Sequence, residues 1–362
     1  MYWIKSPSNY KQAPGILQKI GAELKPYGNS FLFLATPSRW GVLGESVIKS
    51  MEEEGLTWEY EAYEHAATRD AMDKVGARLN AGSYDALVVM GGGKLLDTGK
   101  GAASRGGVPV IVVPTTATTD AAGSSVAVLH TYEGGPDGVE AYAVGPALVL
   151  VDSKVIAGAP VEHLVAGMGD ALSTYFEARV HYNYKIPLTS GSQVTLAGLA
   201  QAKACYDIIM QYGREALLAA KKREVNEALE IIVMANTYMS CFGFENGGLS
   251  SAHGVQNTFE LIPECRDVLH GMAVGFGTLC LLILEDFEQA VVDEVFSFCK
   301  DVGLPLTLAE LNLTENAANK MRAALEQNLG AGHPVFPMPT GKTVEDLFQA
   351  VMKTDELGRK FK

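Results

Sequence analysis

The apolar positions of the chain fall into two regimes. At first, short unbroken runs of Val, Ile, Leu and Phe alternate with stretches of helical spacing. The runs at 31–35 (FLFLA), 57–62, 86–90 (ALVVM), 108–114 (VPVIVVP) and 147–152 (ALVLVD) read as strands, with a helix at 41–54. A strand that is apolar on both faces must be covered on both, which is the pattern of a mainly parallel sheet between helices. From 161 onward the spacing becomes helical throughout, as at 194–211, 222–241 and 317–329, and no strand ladder is seen. The Gly- and Pro-rich stretches 243–248 and 332–339 read as loops. The expectation is an α/β domain over 1–158, followed by an all-helical domain over 159–362.

Two places in the first half carry candidate chemistry. The 86–90 run enters Gly91-Gly-Gly-Lys94, after which 95–100 starts a helix. Strand, glycine turn and helix N-terminus make a phosphate cradle, because glycines permit positive φ and close backbone approach and the helix dipole favours an anion. The spacing is neither that of G-x-G-x-x-G nor that of a P-loop, so a plain tight turn stays open beside a dinucleotide pyrophosphate site. The 108–114 run ends in Pro114-Thr-Thr-Ala-Thr-Thr-Asp-Ala-Ala-Gly-Ser-Ser125, a hydroxyl-rich stretch beyond a strand's C-terminal end, where open α/β sheets bind ligands.

In the helical half, His253 and His270 lie among small and apolar residues. Each alone reads as a packed, hydrogen-bonded histidine, and Asp170, ahead of an apolar run, reads as a helix cap. Together they offer one carboxylate and two imidazoles with a coordination position to spare, the donor set of a catalytic zinc.

The formal net charge is −13, which argues against a nucleic-acid partner. Hydrophobic residues make up 48%, enough for a core and too many for disorder. No apolar run reaches the roughly 18 residues of a membrane span, and the first residues lack the basic-then-apolar layout of a secretory signal. Five scattered cysteines without a C-x-x-C pair read as reduced thiols, so a cytoplasmic protein is expected.

Taken in order, 91–100, 114–125, 151–160, 167–179, 243–253 and 270–278 resemble the glycerol dehydrogenase branch of the iron-containing (group III) alcohol dehydrogenase superfamily. The resemblance spans essentially the whole chain. It implies a Rossmann-like nucleotide-binding domain plus an all-α domain, in a dehydroquinate synthase-like architecture, and an NAD(P)-linked dehydrogenase acting on a small polyol or the matching ketone. It also implies that Asp170, His253 and His270 hold a divalent metal. Iron-type members carry a further His one turn after the Asp, and here that position is Thr174, which favours Zn2+. Gly92, Gly93 and Lys94 are implied at the pyrophosphate, and Thr115, Thr116, Thr118 and Thr119 on the nicotinamide side with Ser124, Val126 and His130 nearby. Asp120 is implied at the substrate polyol and Phe244 against bound substrate. A homo-oligomer, often an octamer, is implied as well.

The departures from the pattern concern specificity. Thr36 stands where NAD-using relatives carry an Asp for the adenosine ribose, so NADP stays open. His130 replaces a Tyr, Ala122 a Pro, and Met272-Ala273 a Glu-Lys, which leaves an amino alcohol, hydroxy acid or cyclitol as alternative substrates. A dehydroquinate-synthase-like lyase would need several cationic groups near the triad, where only Arg179 and Arg266 are close in sequence.

Overall fold

A computed structural model of the chain describes residues 1–63, 67–132, 135–333 and 335–361. Its contacts divide into two compact units. One comprises Lys5–Ala159 with Arg223–Val225; the other comprises Met1–Ile4, Pro160–Lys222 and Asn226–Lys362.

The first unit is built on eight strands: β1 (Tyr10–Gln12), β2 (Ser30–Ala35), β3 (Thr57–Ala62), β4 (Ala86–Gly91), β5 (Val110–Pro114), β6 (Val126–His130), β7 (Pro136–Ala141) and β8 (Leu148–Val151). Six form an all-parallel sheet in the order β1-β8-β5-β4-β2-β3, and β6 and β7 pair separately as an antiparallel hairpin. The five predicted strands are present, with β5 starting two residues late. The central strands β4, β5 and β8 are buried along their whole length, as their unbroken apolar runs require. Two features escaped prediction. β1 is only three residues long, and the hairpin carries exposed apolar side chains such as Val128 and Val139, so it lacks the alternation that marks a half-buried strand. The first long helix runs Pro37–Glu53, starting four residues before the predicted 41. Thr36 caps it by accepting a hydrogen bond from the Arg39 amide (3.3 Å), and Pro37 opens it.

The second unit is helical; among its described residues there is no strand. The Val161–Tyr184 and His270–Leu284 helices are buried on nearly every side, so both run through the core. The 317–329 prediction matches the Ala317–Leu329 helix. Two predictions need correction. The stretch 222–241 is not one helix: the preceding Leu196–Lys222 helix ends at its first residue, Glu227–Met234 follows, and a π-turn over Ala235–Met239 leads into the Ser240–Gly247 helix. The 243–248 loop is likewise mostly helix. A Cβ on Gly243 would overlap the Thr174 methyl and one on Gly247 would crowd Ala178, so these glycines serve close helix packing; only Gly248, at φ +89°, ends the helix as a turn glycine. The 332–339 loop has no helix or strand, with Pro334 outside the described residues. No helix among the described residues is long and apolar enough to cross a membrane.

Candidate active site

Three helices of the second unit bring Asp170, His253 and His270 together. Asp170 sits in the middle of the Val161–Tyr184 helix, not at a cap; His253 is in the first turn of Ser251–Glu260 and His270 opens His270–Leu284. Close approach of the backbones makes this convergence achievable. A Cβ on Gly271 would fall inside the van der Waals envelope of the Ala166 carbonyl oxygen, and one on Gly169 inside that of the Gly271 carbonyl. Only paired glycines let His270 come this near Asp170.

One donor atom from each of the three residues lies within 4.8 Å of the others. Asp170 Oδ1 is 3.3 Å from His253 Nε2 and 3.4 Å from His270 Nε2. Asp170 and His253 are buried, whereas the His270 side chain keeps 36% of its surface, so the group is open on one side. The donor set, one carboxylate oxygen and two imidazole nitrogens around a common point, fits a divalent metal with a free coordination position.

Sequence reasoning missed the residue behind this group. Glu177 is fully buried, and its Oε2 accepts from His253 Nδ1 at 2.6 Å. Its Oε1 accepts the backbone N–H groups of Ser250 (2.7 Å) and His253 (3.0 Å), closing the N-terminus of the Ser251–Glu260 helix. In the neutral, metal-binding form of His253 the proton stays on Nδ1 against the carboxylate, and the Nε2 lone pair faces Asp170 and His270. The spacing held the signal: Asp170, Thr174 and Glu177 are i, i+4 and i+7, one face of one helix.

The electrostatics follow from the crowding. Burial alone would raise the Asp170 carboxyl, but the His270 and His253 imidazoles overcome it and hold the pKa well below the usual carboxylate range. Burial would lower both histidines; Glu177 and Asp170 push His253 well above the ordinary imidazole value, and Asp170 raises His270.

In the first unit, Gly92 caps the Gly93–Gly106 helix and Lys94 is exposed at its start. The turn needs no positive φ, contrary to the sequence argument: Gly92 has φ −92°, and none of 91–93 is left-handed. The demand for glycine is steric. A Cβ on Gly91 would strike Leu95, while on Gly92 and Gly93 it would meet first the hydroxyls of Thr116 (3.7 Å) and Thr119 (3.3 Å). The absent side chains leave clear space before a helix N-terminus whose leading amides lack intrahelical acceptors, which fits an anionic phosphate.

The threonine loop lies against that space. Thr118 donates to Thr116 (3.0 Å), and Thr119 caps the short helical turn Asp120–Ala122, in which Asp120 is half-buried. Thr115 is buried, its amide bonded to the Gly91 carbonyl (3.0 Å). Ser124 is buried beneath the loop, where its hydroxyl accepts from Lys100 Nζ (3.0 Å); Val126 and His130 are half-buried on β6. Thr36 acts as a helix cap at the end of β2, and Phe244 is half-buried on the Ser240–Gly247 helix.

The sequence pattern of the iron-containing alcohol dehydrogenases matches residues 7–153. A glycerol dehydrogenase from Pseudomonas putida is 40% identical over 358 residues, 99% of this chain and 98% of that protein. One from Escherichia coli is 37% identical over the same shares. The solved structure of a probable glycerol dehydrogenase from Sinorhizobium meliloti 1021 superposes with a TM-score of 0.92 at 33% identity, covering 99% of both chains. The chain belongs to the iron-containing alcohol dehydrogenase family, on its glycerol dehydrogenase branch. Members of this family are NAD-dependent, metal-binding oxidoreductases, and the chain is accordingly an oxidoreductase. The parallel sheet and helical unit are the fold of this family.

Proposed function

We propose that the chain oxidises the secondary hydroxyl of a small polyol, glycerol or a related 1,2-diol, or reduces the matching ketone, with NAD as the coenzyme and zinc held by Asp170, His253 and His270. The observation that carries this reading is the meeting of those three donors, from residues 170 to 270, around one point. Zinc is favoured over iron by the donor count and by Thr174, whose hydroxyl bonds Ser240 Oγ (3.1 Å) where iron-type members present an imidazole. A metal held there by Asp170, His253 and His270 would supply Lewis acidity toward the substrate oxygen.

The chain's own residues do the remaining work. Glu177 holds the His253 ring with its lone pair toward the metal position. Asp120 accepts a second, vicinal hydroxyl and so selects diols, and Phe244 packs against the carbon skeleton. Gly92, Gly93 and Lys94 take the pyrophosphate at the helix N-terminus. Thr115 contributes through its backbone, and Thr116, Thr118 and Thr119 through hydroxyls on the nicotinamide side, with Val126 and His130 flanking. The absence of a carboxylate at Thr36 leaves a 2′-phosphate unopposed, so NADP is accepted alongside NAD. The five buried cysteines fit a cytoplasmic enzyme, and we take it to work as a homo-oligomer.

A second reading rests on Met272-Ala273, two residues after His270, where glycerol dehydrogenases commonly carry Glu-Lys; it makes the substrate an amino alcohol, hydroxy acid or cyclitol. A phosphorylated substrate is disfavoured, because few cationic residues lie near the triad in sequence, and one of them, Arg179, stacks over the Phe287 ring (4.5 Å). The test is coenzyme reduction with glycerol, 1,2-propanediol, glycerol phosphate and an amino alcohol, on metal-stripped enzyme reloaded with zinc or iron. Turnover of glycerol phosphate but of neither glycerol nor 1,2-propanediol by the zinc-loaded enzyme would overturn the proposal.

A further inference from the structure

Lys100 and Asp97 form a buried ion pair on one face of the Gly93–Gly106 helix, with Nζ 2.8 Å from Oδ1 and 3% and 5% of the two residues exposed. Both reach for the segment that follows Thr119. Lys100 Nζ donates to the Ala121 carbonyl (2.9 Å), to Ser124 Oγ (3.0 Å) and to the Val126 carbonyl. Asp97 Oδ2 accepts the Val128 amide (3.1 Å). One ion pair therefore holds the segment at positions 121, 124, 126 and 128.

A buried ion pair is an expensive way to fill space, and an apolar pair of equal volume often does as well or better. Here an apolar pair would leave two carbonyls and an amide buried without their present partners. The helix carrying the pair begins at the glycine turn, about one turn before Asp97 and two before Lys100, and a helix is stiff over that length. Turn and loop are thus tied into one rigid piece.

We propose that Lys100 and Asp97 are positioning residues for hydride transfer, which lock the Asp120 loop to the phosphate-binding turn. This rests on the reading above that turn and loop take the coenzyme. The turn itself does not depend on the pair, so the two ends of the coenzyme respond differently when the pair is lost. A loop displaced by about 1 Å misaligns the nicotinamide and the Asp120 carboxylate that faces the substrate, and lowers the rate about 100-fold.

The experiment compares wild type and Lys100→Met, both zinc-loaded, for the Kd of ADP-ribose, the Kd of NADH and kcat per folded molecule. Wild type that binds neither ADP-ribose nor NADH refutes the coenzyme reading itself. With that control passed, the expected result for Lys100→Met is an ADP-ribose Kd within about threefold of wild type and a kcat lowered about 100-fold. A kcat within about threefold, or ADP-ribose and NADH weakened by the same factor, overturns the proposal. Should Lys100→Met not fold, Asp97→Leu/Lys100→Met removes both charges and is read in the same way. Failure of both to fold also overturns it, since the pair is then a determinant of the fold.

Discussion

Glu177→Gln isolates the tautomer argument. The substitution keeps the volume of a fully buried side chain, and the amide oxygen can still take the Ser250 and His253 N–H groups. The amide NH2 then faces His253 Nδ1, where the carboxylate oxygen accepted at 2.6 Å. Two donors cannot share that contact, so the ring must move its proton to Nε2, the atom 3.3 Å from Asp170. Flipping the amide is worse, because NH2 would then meet two backbone amides. The loss is that of a charge-assisted buried hydrogen bond, about 1.5–3 kcal/mol. That matches the 10–100-fold, or about 1.4–2.7 kcal/mol, typical of removing a carboxylate behind a ligating histidine. Stripped protein titrated with zinc against a chelating dye should show affinity down by about 10–100-fold, with kcat largely recovered at saturating zinc. A zinc Kd within about threefold of wild type would refute the claim that Glu177 orients the ligand.

Four further outcomes follow from the same geometry. Gly271→Ala places a methyl against the Ala166 carbonyl and should destabilise the protein by about 3 kcal/mol or more in urea unfolding while weakening zinc, since the helices carrying Asp170 and His270 must part; a neutral result would show the contact can relax. Thr36→Asp keeps a good cap for the Pro37–Glu53 helix, so it should fold normally and lower NADP use relative to NAD by about tenfold or more in kcat/KM; an unchanged ratio would remove Thr36 from the coenzyme site. Burial pushes Cys265 to about 11 and Cys280 and Cys299 to about 12, and Cys205 and Cys241 are buried too, so a disulfide reagent at about pH 8 should titrate the thiols only after unfolding. The raised His253 and His270 give metal-free protein a stability increment that is complete below about pH 6.5 and is lost as pH climbs through their folded values. Zinc affinity should rise over that same window as protons leave the imidazoles, and a pH-independent zinc Kd would contradict the assignment of these ligands.

How far the sequence was readable depended on whether a residue's burden was local or relational. Apolar runs such as ALVVM at 86–90 can satisfy their side chains only inside a covered sheet, so the parallel strands were legible from periodicity. The Asp170, His253 and His270 cluster was legible as a candidate donor set because an Asp and two His are costly among small apolar neighbours unless something occupies them. Glycines misled in both halves. At 243–247 they were assigned to a loop, when Gly243 and Gly247 spare room for a neighbouring helix, a demand set by partners remote in sequence, and at 91–93 positive φ was expected where none of the three adopts it.

Glu177, Asp97 and Lys100 were overlooked for the same reason. A charged residue in a helix of mixed composition is ordinarily a solvated face, and nothing in its own neighbourhood says otherwise. Their meaning emerges only when the helix is wound and the charge is found inside: Glu177 two turns from Asp170 and bonded to His253, Lys100 one turn from Asp97 and bonded to the 121–126 loop. In each case a buried charge holds another residue in position. Spacing on a helix, i to i+7 or i to i+3 from a residue already suspected, is the physical cue by which such supporting charges can be sought, because a side chain that orients a site must leave its helix on the face the site occupies.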